Sequence, residues 1–128
     1  MSDESCRLCG DSQRSLYFED RQSRYWQCAH CSLVALDSQH WLSADAEREY
    51  YGLHQNSPDD RGYRRFLARI TDPLLDRCAL PVKGLDFGCG PGPALSMMLT
   101  EHGFEMSHYD PLFFPDHRLL IQQYDLVT

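Results

Sequence analysis

Three observations predict an α/β chain in three parts. Two C-x2-C pairs, Cys6–Cys9 and Cys28–Cys31, stand eighteen residues apart near the front. A central stretch repeats apolar residues at three- and four-residue intervals from Tyr63 to Leu74. A short apolar strand then runs into alternating glycines, Gly88, Gly90 and Gly92, and out into a helix. These features divide the 128 residues into a β ribbon over 1–40, a helical linker or lid over 41–81, and the opening of a parallel sheet over 82–128.

The ribbon comes first. A C-x2-C knuckle turns the backbone so that two sulfurs face one point, and the small residues Gly10 and Ser32 after each pair ease that turn. Together Cys6, Cys9, Cys28 and Cys31 supply four thiolates, the shell that a tetrahedral zinc ion takes. Between the knuckles lie two strand-like pieces, Ser15–Phe18 and Arg24–Gln27, and Leu33–Leu36 follows the second pair. So short a segment has little core of its own, so metal is expected to hold it. A redox C-x-x-C would need a βαβ setting that is absent here, and a disulfide framework belongs to oxidising compartments. His30 lies inside the second pair and reads as a surface residue, because four cysteines already complete the shell. A closed four-thiolate site has no open position and is structural, not catalytic.

In the middle segment, Ser43 is placed to cap a helix through Tyr51, with Asp45 and Glu47 in the first turn and Gly52 as the stop. A polar loop, Gln55 to Asp59, leads to a second helix capped by Asp59 or Asp60. There Tyr63, Phe66, Leu67, Ile70 and Leu74 form one apolar face. Pro73 predicts a kink or a restart with Asp72 as the new cap. Tyr50, Tyr51, His54, Tyr63, Arg64 and Arg65 are candidates to line a ligand site. The simpler reading of that composition is packed aromatics and solvated arginines.

The most informative stretch is Gly84 to Pro93. Glycines let the backbone turn sharply and let a ligand approach the main chain. The helix beyond them begins with unpaired N–H groups and a positive dipole end. A second strand, Phe104–Tyr109, ends at Asp110, 22 residues after Gly88. A carboxylate at that tip can accept hydrogen bonds from ribose hydroxyls. Pro93 stands where a dinucleotide fingerprint needs its third glycine or alanine, and no G-K-[ST] follows, so a phosphate-gripping loop is excluded.

Leu85-Asp86-Phe87-Gly88-Cys89-Gly90-Pro91-Gly92 resembles motif I of the class I S-adenosylmethionine-dependent methyltransferases. Asp110 matches that family's ribose-binding acid, and Tyr124-Asp125-Leu126-Val127 is similar to the segment that opens its fourth strand. A four-cysteine ribbon ahead of this fold resembles a subgroup that includes sugar C-methyltransferases. The resemblance implies a Rossmann-like sheet and S-adenosylmethionine as cofactor. By the same resemblance Gly88, Gly90 and Gly92 would bound its methionine end, Asp86 would orient its amino group and Asp110 would hold the ribose. Pro111 and Leu112 would touch one adenine face. Only fourteen residues separate Asp110 from Asp125, where the family has a helix and a third strand. Arg118–Ile121 is expected to be a short third strand, with Gln122 or Gln123 as the adenine contact. The family's sheet has more strands than this chain can supply, so a C-terminally truncated enzyme, inactive alone, is expected.

Methyl transfer from a sulfonium asks for alignment, water exclusion and sometimes a base. His54 is the candidate base in the lid region. Cys89 reads as a small filler in a tight loop and Cys78 as helix-face core. His102, His108 and His117 lack metal-like spacing. The expected acceptor is a small molecule, a sugar or sugar nucleotide being the option the resemblance suggests. One alternative is an RNA or protein methyltransferase that grips a macromolecule with the ribbon; another is a non-catalytic zinc-ribbon interaction module. A net charge of −7, with acids in excess in every segment, argues against nucleic acid and anionic membranes. The acidic, polar start of the chain is unlike a signal peptide, and no apolar run is of membrane-spanning length, which points to the cytoplasm.

Overall fold

Strands β1 (Arg14–Glu19), β2 (Arg24–Cys28) and β3 (Val34–Leu36) form an antiparallel sheet in that order. All three lie where aromatic and branched residues predict strands. β1 and β2 pair from Arg14↔Cys28 to Glu19↔Arg24, and a bulge at Tyr17 shifts the register between Leu16 and Phe18. β2 and β3 pair through Trp26↔Ala35. A 3-10 turn, Ser38–His40, follows. The computed structural model describes residues 5–54 and 56–128, so the first four residues of the polar start and Gln55 of the predicted loop lie outside the described residues. The chain forms two compact units, one ending at Ser43 and the other beginning at Ala44.

Among the described residues of the first unit, only Cys28 and Asp37 are buried. Leu16, Tyr17 and Phe18 on β1 are all at least half exposed. The sheet therefore has almost no apolar core, and its folding energy must come from another source. Asp37 ties the end of the sheet together. It accepts from the Trp26 indole N–H at 2.8 Å and from the Gln39 N–H at 3.0 Å. The Gln39 bond and then the indole bond hold its carboxyl below the ordinary range.

The second unit contains α1 (Ala44–Gly52), α2 (Arg61–Arg77), β4 (Lys83–Phe87), α3 (Ala94–Glu101), β5 (Glu105–Tyr109) and β6 (Leu126–Val127). β5, β4 and β6 make a parallel sheet in that spatial order. The mixed α/β class predicted from sequence is observed. β6 forms where Tyr124-Asp125-Leu126-Val127 predicts a strand. Its entry is held by the Asp125 carboxylate, which accepts from the Lys83 N–H at 2.9 Å.

α2 is capped by Asp60, whose carboxylate accepts from the Tyr63 N–H, and it runs unbroken through Pro73. The expected restart at Pro73 with Asp72 as a new cap is thus corrected. Pro73 and Arg69, the residue four before it, are both exposed, so water can serve the carbonyl that loses its partner. The predicted apolar face is also rotated. Leu67 and Thr71 are buried, with Tyr63 and Leu74 beside the core, while Phe66 and Ile70 are 59% and 44% exposed. The small Thr71 lets the helix approach closely, and that turns Phe66 and Ile70 outward.

Two apolar clusters join these elements. Leu67, Ala94 and Met98 pack between α2 and α3, and Val82, Leu99 and Phe104 pack between α3 and the sheet. Leu95 touches both. The expected third strand at Arg118–Ile121 is instead a 3-10 turn, His117–Ile121, capped by Asp116, whose carboxylate accepts from the Arg118 N–H. Gln122 accepts from Lys83 Nζ at 2.9 Å, at the amino end of β4. That is the opposite end of the parallel sheet from the glycines, so Gln122 is not placed to touch an adenine beside Asp110. Among the described residues, no helix is long and apolar enough to cross a membrane.

Candidate functional site

The two knuckles are built alike. Gly10 and Ser32 both adopt positive φ, 76° and 62°. Each donates its N–H to the carbonyl of the first cysteine of its pair, Gly10 to Cys6 and Ser32 to Cys28. Cys6 and Cys28 donate in turn to Asp11 and Leu33, again in equivalent positions. The four Sγ atoms lie within 4.8 Å of one another, with Cys6–Cys31 at 3.5 Å and Cys9–Cys28 at 3.6 Å. A tetrahedron with metal–sulfur bonds of about 2.3 Å has sulfurs about 3.8 Å apart. The cluster is therefore of the size that could hold a metal ion. His30, as expected, is not part of it.

The thiols are not equivalent. Backbone N–H groups of Cys9 and Leu8 favour the Cys6 thiolate and lower its pKa to about 6. At Cys9 the Asp11 N–H also favours the thiolate, but burial and the neighbouring thiols outweigh it and raise the pKa to about 12. Crowding of sulfurs is what a dication relieves, because its charge stabilises all four thiolates together.

The second cluster of predicted residues lies at the carboxyl ends of β4 and β5. Gly88 and Gly90 take φ of 80° and 67°, which side chains rarely adopt. The Gly88 and Cys89 N–H groups bond to the Tyr109 carbonyl, carrying the loop across the tip of β5. Asp110 is buried there. Its Oδ2 accepts from the Gly90 N–H at 2.9 Å, and its Oδ1 accepts from Leu112 at 2.8 Å and Phe113 at 3.1 Å. A carboxylate offers about four lone-pair sites, so one remains beyond these backbone bonds. Pro111 and Leu112 sit beside it in the tight turn closed by the Asp110–Phe114 bridge.

Asp86 is buried at the end of β4 and accepts from the Ser96 N–H in the first turn of α3. Desolvation raises its pKa above the ordinary value, against that N–H bond and the nearby His108. Tyr63 at the start of α2 feels the same carboxylate. Burial first, and then the Asp86 charge, raise the Tyr63 pKa. Cys89 is half-buried, its thiol raised to about 12 mainly by desolvation, which suits a filler and not a nucleophile.

Gly92 differs from the other two loop glycines. Its φ is ordinary, but a Cβ there would lie 2.3 Å from the carbonyl oxygen of Asn56. It makes room for the chain's own backbone, which sequence reading assigned to a ligand. Gly92→Ala should therefore displace residues 56–60 and cost about 1–3 kcal/mol as an overpacking change. Thermal denaturation followed by circular dichroism measures the loss, and new protease cleavage within 56–60 locates it. His54, Tyr50 and Tyr51 form an edge-to-face group with ring centroids 5.4–5.8 Å apart, exposed to solvent. Nothing links that group by hydrogen bond to Asp86 or Asp110 among the bonds of the described residues.

Sequence reading missed Asn56 and the influence of the Asp86 charge on Tyr63. Neither carries a local signal, since both depend on how α2 docks. The chain matches no protein-family model, no curated protein and no solved structure.

Proposed function

We propose that the protein is an S-adenosylmethionine-dependent methyltransferase acting on a small molecule, with a structural zinc ion in its ribbon. The observation that carries this reading is the arrangement at the sheet's carboxyl edge. Parallel β4 ends in two positive-φ glycines ahead of α3, and the neighbouring parallel strand ends in a buried acid bonded back to that loop. This reads as the start of a Rossmann-like sheet with its nucleotide crevice at the strand ends.

The residues present fit the cofactor. Asp110 has an acceptor site left for one ribose hydroxyl, while its other sites hold the loop in shape. Pro111 and Leu112 offer apolar surface next to it. Gly88 and Gly90 present bare backbone to the methionine end, and the Asp86 carboxylate is near enough to the start of α3 to orient an ammonium group. The cofactor brings an activated methyl group of its own. The chain's part is to position it, exclude water and, if the acceptor needs it, take a proton at His54. Four closed thiolates leave zinc no open position, so it holds the ribbon and does no chemistry. Four reduced thiols suit a reducing compartment, which supports a cytoplasmic location. The sugar or sugar-nucleotide acceptor belongs to the same reading, on the ribbon's likeness to sugar C-methyltransferases.

Isothermal calorimetry with S-adenosylmethionine tests the proposal. Saturable binding, with none for a nicotinamide dinucleotide, is the expected result; no saturable heat overturns it. Asp86→Asn separates function from folding. The folded protein raises the Asp86 pKa, so the ionised carboxylate costs stability as pH rises above the ordinary value of 3.8. The amide should thus keep or raise the melting temperature at neutral pH while weakening cofactor binding about 10- to 100-fold, the worth of a charge-assisted hydrogen bond.

A further inference from the structure

Asn56 lies against the glycine loop at Gly92, and one arginine ties down the segment 56–60 that Asn56 begins. The Asn56 carbonyl is in contact with Gly92. Two residues later, the Pro58 carbonyl accepts from Arg64 Nη1 at 3.0 Å. The same guanidinium pairs through Nη2 with Glu101, the last residue of α3. Local bonds brace the segment: the Asp59 N–H donates to Ser57 Oγ and the Asp60 N–H to the Ser57 carbonyl. A single side chain on α2 thus ties the segment to the far end of the helix that begins at the glycine loop.

The position of Glu101 supports this. An acid at the carboxyl end of a helix is opposed by the helix dipole and by the free carbonyls there. Arg64 offsets that conflict. Its planar fork serves two acceptors at once, which a lysine's single ammonium does less well. Arg65, the next residue, has no such partner among the described residues and is exposed.

We infer that Arg64 is a positioning residue that latches residues 56–60 against the glycine loop and so sets the rate at which a ligand bound to that loop leaves. This rests on the cofactor reading above. Gly90 is open, and a ligand that reaches from it toward Gly92 meets the Asn56 backbone. Its escape requires that backbone to lift, and lifting breaks the Arg64–Pro58 bond.

The test uses the full chain with metal bound. Amide hydrogen exchange of residues 56–60 is followed first without ligand, in wild type, Arg64→Met, Glu101→Gln and the control Arg65→Met. Exchange should quicken about two- to fivefold in the first two variants, the scale of a partly exposed ion pair, and stay unchanged in the control. Stopped-flow displacement of S-adenosylmethionine should then show its dissociation rate rising by a similar factor in Arg64→Met and Glu101→Gln. The double variant should be no faster than Arg64→Met alone, because both changes cut one latch. Arg64→Lys should recover part of the wild-type rate. A general loss of stability would speed exchange in the sheet as well as in 56–60. Unchanged exchange and unchanged dissociation in Arg64→Met overturn the latch, as does quickening spread evenly over the unit. Absence of S-adenosylmethionine binding to the wild-type chain instead overturns the cofactor reading, and exchange still decides whether the latch exists.

Discussion

Cys28→Ser should strip the ribbon of its metal and unfold it, leaving the second unit folded. Cys28 is the one buried cysteine of the four and the last residue of β2, so its sulfur joins the metal site to the sheet. With only Cys28 and Asp37 buried among its described residues, the ribbon has no apolar reserve to stand on when the metal leaves. Structural zinc contributes about 10–16 kcal/mol of apparent free energy in small metal-held domains, far more than so thin a sheet can replace. Metal analysis should fall from about one ion per chain toward none. Tryptophan fluorescence reads the ribbon selectively, because the protein's two tryptophans, Trp26 and Trp41, both lie in this unit. Their emission should shift to the red as Trp26 loses its bond to Asp37. Cys78→Ser and Cys89→Ser should keep both the metal and the emission, since neither belongs to the cluster. A Cys28→Ser protein with full metal content and native emission would refute the ribbon's dependence on metal.

The second unit should fail in a different way. Leu99 has no solvent exposure and sits among Val82 and Phe104 between α3 and the sheet. Leu99→Ala removes three carbons and leaves a cavity that β4 and β5, fixed by their ladder, cannot close. The expected cost is about 2–5 kcal/mol, out of a total of about 5–15 kcal/mol for a typical domain. Each kcal/mol moves the melting temperature about 4–8 °C at this size, so a fall of about 8 °C or more is expected. Circular dichroism in the far ultraviolet reports it, because α1, α2 and α3 all belong to this unit. Ribbon fluorescence and metal content should not change at the temperature where the helices melt. Ile121→Ala, at a side chain 88% exposed, is the control and should leave the transition in place.

Much of the four-cysteine cluster was legible because its signal is local. A knuckle is set by a spacing of two and a residue that tolerates positive φ after it. Gly10 is the expected choice, and Ser32 shows the backbone demanding that conformation even without a glycine. The strand, glycines, helix, strand and acid from Lys83 to Asp110 were legible for the same reason: each step is fixed by its neighbours in sequence. The helix does not restart at Pro73, because the cost of a proline there depends on whether Arg69 faces water. Arg118–Ile121 was misjudged because a strand needs a partner edge as well as suitable residues, and the bonds of Asp116 draw this segment into a turn instead.

By itself, the sequence determined where four sulfurs converge, where the three ribbon strands, β4 and β5 form, and that a glycine loop separates β4 from α3. Those are consequences of covalent spacing and local backbone preference, which act over a few residues. Only the tertiary structure decided that Thr71 rather than Phe66 faces the core, that Asp110 is spent largely on the loop it borders, and that Gly92 yields space to Asn56. Each of these follows from the docking of α2 and α3 onto the sheet, where shape and hydrogen-bond satisfaction are settled between residues far apart in the chain.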